Sequence, residues 1–228
     1  MPRYALYYAP RPDEEIARFA ARWLGRDPED GHALDQPAVP GLSPDRLAEI
    51  TTEPRRYGFH GTLKPPFELV TSATLAELLA RAAEFAAQRP AVPLRGLALK
   101  VIDGFLALVP QASADIDALA ADCVREFDRY RAPPDPADLA RRRAAGLTTR
   151  QEEFLQRWGY PYVMEEFRFH LTLTGRLQEN ERSLVQAALA PLTAPFGVVP
   201  TAIRDLCIFV QESREQPFRV LARLPFRR

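Results

Sequence analysis

The chain has two cysteines, three histidines and no net charge. Cys123 and Cys207 lie far apart and form no C-x-x-C spacing. That argues against a disulfide framework or a thiolate metal cluster, and each reads as a small apolar filler in a reducing compartment. Thirty Lys and Arg residues offset thirty Asp and Glu. Proteins that coat long nucleic acid or an anionic membrane usually carry a basic excess, so neither partner is expected, although the balance leaves room for a local basic pocket around one phosphate. No run of eighteen apolar residues occurs, so no membrane-spanning helix is expected. The opening stretch "MPRYALYYAPRPDEEI" turns acidic at once and lacks the charged-then-apolar profile of a signal peptide. These absences together predict a cytoplasmic protein.

What remains is ordinary for a globular chain, 46% hydrophobic and 26% charged. A length of 228 residues suits one large domain or two small fused ones, and it suffices to bury a core without disulfides or structural metal. "RYALYYAP" reads as a strand ended by Pro10 and Pro12, and "DEEIARFAARWLG" as a helix started by Asp13 or Pro12 and ended by Gly25. Residues 26–43 form a Pro-, Gly- and Asp-rich loop that contains His32. Ser43 and Pro44 open a short helix. Further helices are predicted over "TSATLAELLARAAEFAAQR", "SADIDALAADCVREFDRY", "ADLARRRAAGL", "TTRQEEFLQRWG" and "QENERSLVQAALAPL". "LRGLALKVIDGFLALVP" is a hairpin with Asp103-Gly104 as its tight turn, and the chain closes with two more strands.

Two of the three histidines stand in nearly the same phrase. "RRYGFHGTLKPPF" occupies 55–67 and "EEFRFHLTLTGRL" occupies 165–177. Each reads as a strand followed by a helix and a hairpin, and an interval of about half the chain suggests a duplicated unit rather than a short-period solenoid. Interleaved strands, helices and hairpins predict an α+β fold with mostly antiparallel sheet. Side chains alternate along a strand. His60, Thr62 and Lys64 should therefore share one face, opposite Phe59, Gly61 and Leu63. In the second phrase Arg168, His170, Thr172 and Thr174 should oppose Phe167, Phe169, Leu171 and Leu173.

Two facing imidazoles with two hydroxyls suit cleavage of a phosphodiester. One histidine can take a proton from the attacking hydroxyl or water, and the other can protonate the departing oxygen. Thr hydroxyls with Arg or Lys donate to the non-bridging oxygens. No metal is needed, and two histidines without a carboxylate or cysteine cluster would hold one poorly.

The paired phrases resemble the 2H phosphoesterase superfamily, named for two H-x-[ST]-hydrophobic motifs. More narrowly, "RYALYYAP", "WLGRD", "YGFHGTLKPPF", "RAPPDPADLARRRAAGL" and "GYPYVMEEFRFHLTLTG" are similar to a bacterial subgroup associated with phosphonate metabolism, over nearly the whole chain. The resemblance implies a single bilobal, pseudo-twofold domain over residues 1–228, with a central cleft and no cofactor. By the motif, His60 and Thr62 match the first pair and His170 and Thr172 the second, and both pairs are intact. A small phosphorylated-sugar or nucleotide substrate is implied, such as a ribosyl or nucleotide cyclic phosphate. The alternatives are an RNA-end 2′,3′-cyclic phosphodiesterase or ligase, and a non-catalytic protein that binds a phosphorylated metabolite. Which histidine is acid and which base stays open.

Six further residues are candidates for substrate binding. Lys64 extends the first polar row, either to a ligand or to a solvated edge. Arg56 and Tyr57 lead into that strand. Arg168 stands next to His170, where the competing reading is an ion pair with Glu165 or Glu166. Arg131 follows a helix, and Tyr162 lies in a loop with Tyr160, where either could stack on a base or sugar or pack on the core. Of Tyr7 and Tyr8, alternation lets one face the core and the other line the cleft. The run Arg141-Arg142-Arg143 reads as a solvated helix face.

Overall fold

The computed structural model describes residues 1–227. Strand β1, Arg3–Tyr8, stops short of Pro10 and Pro12, which cannot donate to a ladder. Helix α1, Glu15–Leu24, buries Ile16, Ala20, Trp23 and Leu24 and ends at Gly25, whose φ of 73° makes the left-handed cap. Its N-cap is Glu14 rather than Asp13, and the Glu14 carboxylate accepts from the Arg11 amide at 3.0 Å. Helix α2, Pro44–Ile50, opens as expected, with the Ser43 side chain accepting from the Arg46 amide.

The first histidine phrase departs from expectation. Arg55, Arg56 and Tyr57 belong to a short helix, α3, Thr52–Tyr57. Gly58, at φ 74°, turns the chain, and strand β2 begins only at Gly61, running Gly61–Glu68. Helix α4, Leu75–Ala87, carries a reciprocal capping box between Thr74 and Glu77. Strand β3 is Val92–Leu94. Strands β4, Ala98–Ile102, and β5, Phe105–Val109, form the expected hairpin, with positive φ at both Asp103 (46°) and Gly104 (90°). Helices α5, Ala114–Phe127, α6, Pro136–Arg143, and α7, Thr149–Trp158, follow.

The second phrase also contains less strand than predicted. Met164–Glu166 is a 3₁₀ turn, and strand β6 is Leu171–Thr172 alone. Helix α8 is Glu179–Thr193, and strands β7, Thr201–Ile203, β8, Asp205–Gln211, and β9, Arg219–Pro225, complete the chain.

Seven strands form one sheet in the order β4-β5-β6-β2-β1-β8-β9, and β3 and β7 form a second sheet. Every neighbouring pair is antiparallel. The fold is thus mixed α and β with antiparallel sheets, as predicted. The large sheet runs on as a single sheet through the join between β2 and β6, where one residue pair, Gly61 with Leu171, connects the strands. After β2 come α4, β3 and the β4–β5 hairpin; after β6 come α8, β7 and the β8–β9 hairpin. Each hairpin lies across the β6–β2 join from the strand that precedes it.

One sheet face holds the main core, where Leu6, Tyr8, Leu63, Leu171 and Leu173 meet Trp23, Phe85, Phe127 and Leu189 from the helices. The other face holds a smaller cluster of Ala5, Tyr7, Cys207, Phe209 and Phe218, with Tyr57 against it. Cys123 and Cys207 are buried free thiols. Among the described residues no helix is long and apolar enough to cross a membrane.

Candidate functional site

The pairing of Gly61 with Leu171 decides where the two motifs stand. The ladder itself is this one pair; continued one step either way with ideal antiparallel geometry, it brings Thr172 to the side of His60 and His170 to the side of Thr62. All four side chains then share one sheet face. The two histidines become diagonal neighbours, for which ideal ladder spacing is about 7–8 Å, and the charge of His170 acts on the His60 ring.

Both imidazoles are held alike. His60 Nδ1 lies 2.8 Å from the Gly58 carbonyl oxygen, and His170 Nδ1 lies 2.7 Å from that of Arg168. A carbonyl only accepts, so each Nδ1 carries the proton and each Nε2 is left to exchange one. Thr62 Oγ1 stands 3.3 Å from His60 Nε2. The His60 ring stacks on Tyr7, with centroids 3.8 Å apart and planes at 22°. Tyr57 and Phe209 flank it at 6.0 and 6.3 Å. Phe105 contacts His170 at 5.5 Å. Ala107 pairs with Thr172 on the neighbouring strand.

The electrostatics of the two rings differ. Burial among aromatics lowers the His60 pKa to about 4, opposed by the Gly58 carbonyl and reinforced by repulsion from His170. Burial also lowers the pKa of His170, but the Arg168 carbonyl and the negative charge of Asp103 counteract it. In the empty site both rings therefore favour the neutral form at pH 7.

Lys64 leaves the row that alternation assigns to it. Tyr7 pairs with Thr62 but Leu6 pairs with Lys64, so β2 gains a residue there. This bulge turns Lys64 to the face of Leu6. Lys64 is 1% exposed, its ammonium 3.4 Å from Asp128 and 5.4 Å from the Phe67 ring. Burial first, partly offset by Asp128, brings its pKa down to about 8. Lys64 therefore stands neither on a solvated edge nor in the histidine row where alternation places it as a ligand contact.

The other candidates scatter. Tyr57 packs on Phe218 at 5.3 Å, beside the His60 ring. Arg56 lies on α3, off the strand row, and its carbonyl accepts from the Phe218 amide at 2.8 Å. Arg168 is exposed. The predicted Arg168 ion pair does not form among the described residues, because Glu165 binds Arg150 at 2.5 Å and Glu166 accepts from Gln151 at 2.8 Å. Arg131 pairs with Asp128 at 2.7 Å. Tyr162 is 43% exposed and meets Tyr160 edge-on at 5.7 Å. Tyr7 and Tyr8 are both buried, at 1% and 2% exposure, so neither lines an open cleft; Tyr7 is the one on the histidine face.

Sequence reasoning did not single out Asp103, Phe105 or Arg3. Only alternation along β1 carried a signal for Arg3, which shares a face with Tyr7. Asp27, Asp30 and His32 form a separate loop cluster with ligand atoms within 4.8 Å of one another, in which His32 Nδ1 contacts Asp30 at 2.5 Å. A cavity of about 500 Å³ beneath α1 includes Phe59 but neither histidine.

The sequence profile of a family described as "Protein of unknown function (DUF1045)" matches residues 62–219. The chain belongs to this family. The matched region of this DUF1045 chain takes in Thr62, His170 and Thr172 and begins just after His60. Two curated relatives both bear the name "Ribose 1,5-bisphosphate phosphokinase PhnN". The one from Janthinobacterium sp. (strain Marseille) is 40% identical over 231 residues, covering 99% of this chain and 51% of the relative. The one from Laribacter hongkongensis (strain HLHK9) is 34% identical over 221 residues, covering 96% of this chain and 50% of the relative. The chain spans about half the length of the curated relatives it matches.

Proposed function

We propose that this chain is a metal-independent phosphodiesterase acting on a small cyclic phosphodiester, such as a ribosyl or nucleotide cyclic phosphate. The observation that carries the reading is the matched pinning of two imidazoles through Nδ1 to the carbonyls two residues earlier, each just before one of two adjoining strands. Each motif thereby offers an Nε2 and a hydroxyl on one face. In this reading the lower-pKa ring, His60, is the base. It removes a proton from water as the water oxygen bonds to phosphorus. His170, sustained by Asp103, is the acid that protonates the departing oxygen as the other P–O bond breaks. Thr62 and Thr172 donate to the non-bridging oxygens. The bound anion supplies the field that His170 needs to hold its proton.

The like succession of helix, short strand and hairpin after β2 and after β6 supports reading the fold as bilobal and duplicated. The relatives' name contains a ribose with two phosphates, which favours a phosphorylated sugar as substrate and a place in phosphonate metabolism. It also names a kinase, and we assign that activity to the part of those relatives outside the match.

The test is hydrolysis of nucleoside 2′,3′-cyclic phosphates and ribose cyclic phosphates by the native chain and by His60→Ala and His170→Ala, with a chelator present. Each substitution is expected to lower kcat by about 10²–10⁴, and the chelator to leave the native rate unchanged. Loss of activity on chelation would remove the metal-free mechanism. The neutrality of both rings at rest favours one second reading, a binding protein for a phosphorylated metabolite. That reading requires saturable binding with no turnover.

A further inference from the structure

A second polar cavity, of about 130 Å³, lies where α6 approaches the ends of β1 and β2. Four arginines line it, Arg3, Arg131, Arg142 and Arg214, with three carboxylates, Glu68, Asp135 and Asp138. The carboxylates are engaged. Asp138 binds Arg214 at 2.9 Å and Arg141 at 2.8 Å, Glu68 contacts Arg214 at 3.4 Å, and Asp135 caps α6 by accepting from the Ala137 amide at 2.7 Å. Arg131 is satisfied by Asp128.

Arg3 and Arg142 are not. Arg3 donates to the neutral Gln211 side chain at 2.8 Å and lies 5.5 Å from the Phe218 ring centroid. Arg142 lies over the Tyr160 ring at 4.4 Å. Among the described residues neither guanidinium has a carboxylate partner. Both are half-buried, while Arg141 and Arg143 on either side of Arg142 are exposed and ion-paired. The Asp138 charge acts on both from beyond ion-pair distance, but withdrawing a cation from water without a paired counter-charge is costly, so the arrangement suits an anion that arrives from outside. Planar guanidiniums match phosphate oxygens geometrically.

Arg3 and the histidine row meet the same aromatic cluster: the Phe218 ring centroid lies 5.5 Å from the Arg3 guanidinium and 6.3 Å from that of Tyr7. Arg3, Ala5 and Tyr7 share one face of β1, and Tyr7 carries the His60 ring. Arg3, Tyr57 and Tyr160 are the polar groups whose fields act on the Tyr7 phenol. Arg3 and Tyr7 stand about 13–14 Å apart at Cα. We propose that the Arg3–Arg142 pocket binds a terminal phosphate monoester, so that the substrate is a sugar phosphodiester carrying a second phosphate. This deepens, and rests on, the assignment of the histidine row as the phosphodiester site.

Calorimetric titration of the full chain with ribose 5-phosphate, against ribose as a control, tests the pocket directly. Saturable binding of ribose 5-phosphate and none of ribose is expected. Arg142→Gln should weaken it by at least about tenfold, Arg142→Lys should recover part of the loss, and Arg143→Gln, at an exposed neighbour paired with Glu152, should match the native chain. Arg142 lies on the surface of α6, and circular dichroism will verify that the variant folds. Native-like affinity in Arg142→Gln, or no binding by the native chain, overturns the proposal. Binding is read without turnover, so an absence of phosphodiesterase activity would remove the histidine reading while leaving this result standing.

Discussion

At the scale of single residues, the two imidazoles are similar in attachment and unlike in environment. His60 rests on Tyr7 inside an aromatic enclosure, and burial there brings its pKa to about 4. His170 is also depressed by burial, but Asp103 at the hairpin tip pulls it back. With His60 as base and His170 as acid, kcat/KM falls below about pH 4 as His60 gains a proton, and falls again above the His170 pKa as that ring loses one. Because the latter is lowered from its ordinary 6.5, the maximum should lie on the acid side of 6.5. Removing the Asp103 charge with Asp103→Asn lowers the His170 pKa further and should move the alkaline limb to lower pH with the acid limb unmoved. A pH–rate series on both proteins, with the His170 proton resonances followed by NMR, checks this. An alkaline limb that stays in place in the variant would break the assignment of His170 as acid.

Among the elements, the join between β2 and β6 matters most, because a single residue pair sets the two motifs side by side. Gly61 permits it: a Cβ there would stand 2.3 Å from two ring atoms of Phe169, a buried core residue. Gly61→Ala should therefore cost about 1–3 kcal/mol by overpacking and push the strands apart. Urea unfolding should show that loss. Turnover should fall at denaturant-free conditions where the variant is still fully folded, since the histidines lose their register. Native turnover in a folded Gly61→Ala would mean that the join does not position the chemistry. The element types were largely legible from sequence because their signals are local: Ser43 and Thr74 cap their own helices, Gly25 ends one, and Asp103-Gly104 makes a primed turn wherever it is placed. The face of Lys64 was not legible, since its bulge exists only in the pairing of β2 with β1. The helix over Arg55–Tyr57 was hidden by the strand-like repeat that follows it. At the site, the His-x-Thr pairs were visible as a repeated phrase, whereas Asp103, Phe105 and Arg3 come from distant parts of the chain: Asp103 was legible only as a turn residue, Arg3 only through alternation with Tyr7, and Phe105 not at all.

For the whole molecule, the question is how a chain that spans half of its curated relatives divides the work their name describes. Two lysines occur here, Lys64 and Lys100, and neither follows a glycine, so the G-x-x-x-x-G-K-[ST] loop that cradles nucleotide phosphates in many phosphotransferases is not formed. Lys64 is moreover held inside the protein by Asp128, and Lys100 is exposed on the outermost strand of the large sheet. The face that carries His60 and His170 instead gathers threonines and arginines, the set to which the proposed reading gives the positioning and protonation of a phosphate ester. On the proposal that the kinase activity belongs to the part of those relatives outside the match, transfer of a phosphoryl group from ATP to ribose 1,5-bisphosphate is not expected of this chain. Mixed with ATP, magnesium and ribose 1,5-bisphosphate, it should release ADP no faster than a blank, and ATP should leave its melting temperature unchanged. Stoichiometric ADP formation coupled to loss of the sugar bisphosphate would place the kinase step in this half after all and would require a nucleotide site other than the ones described.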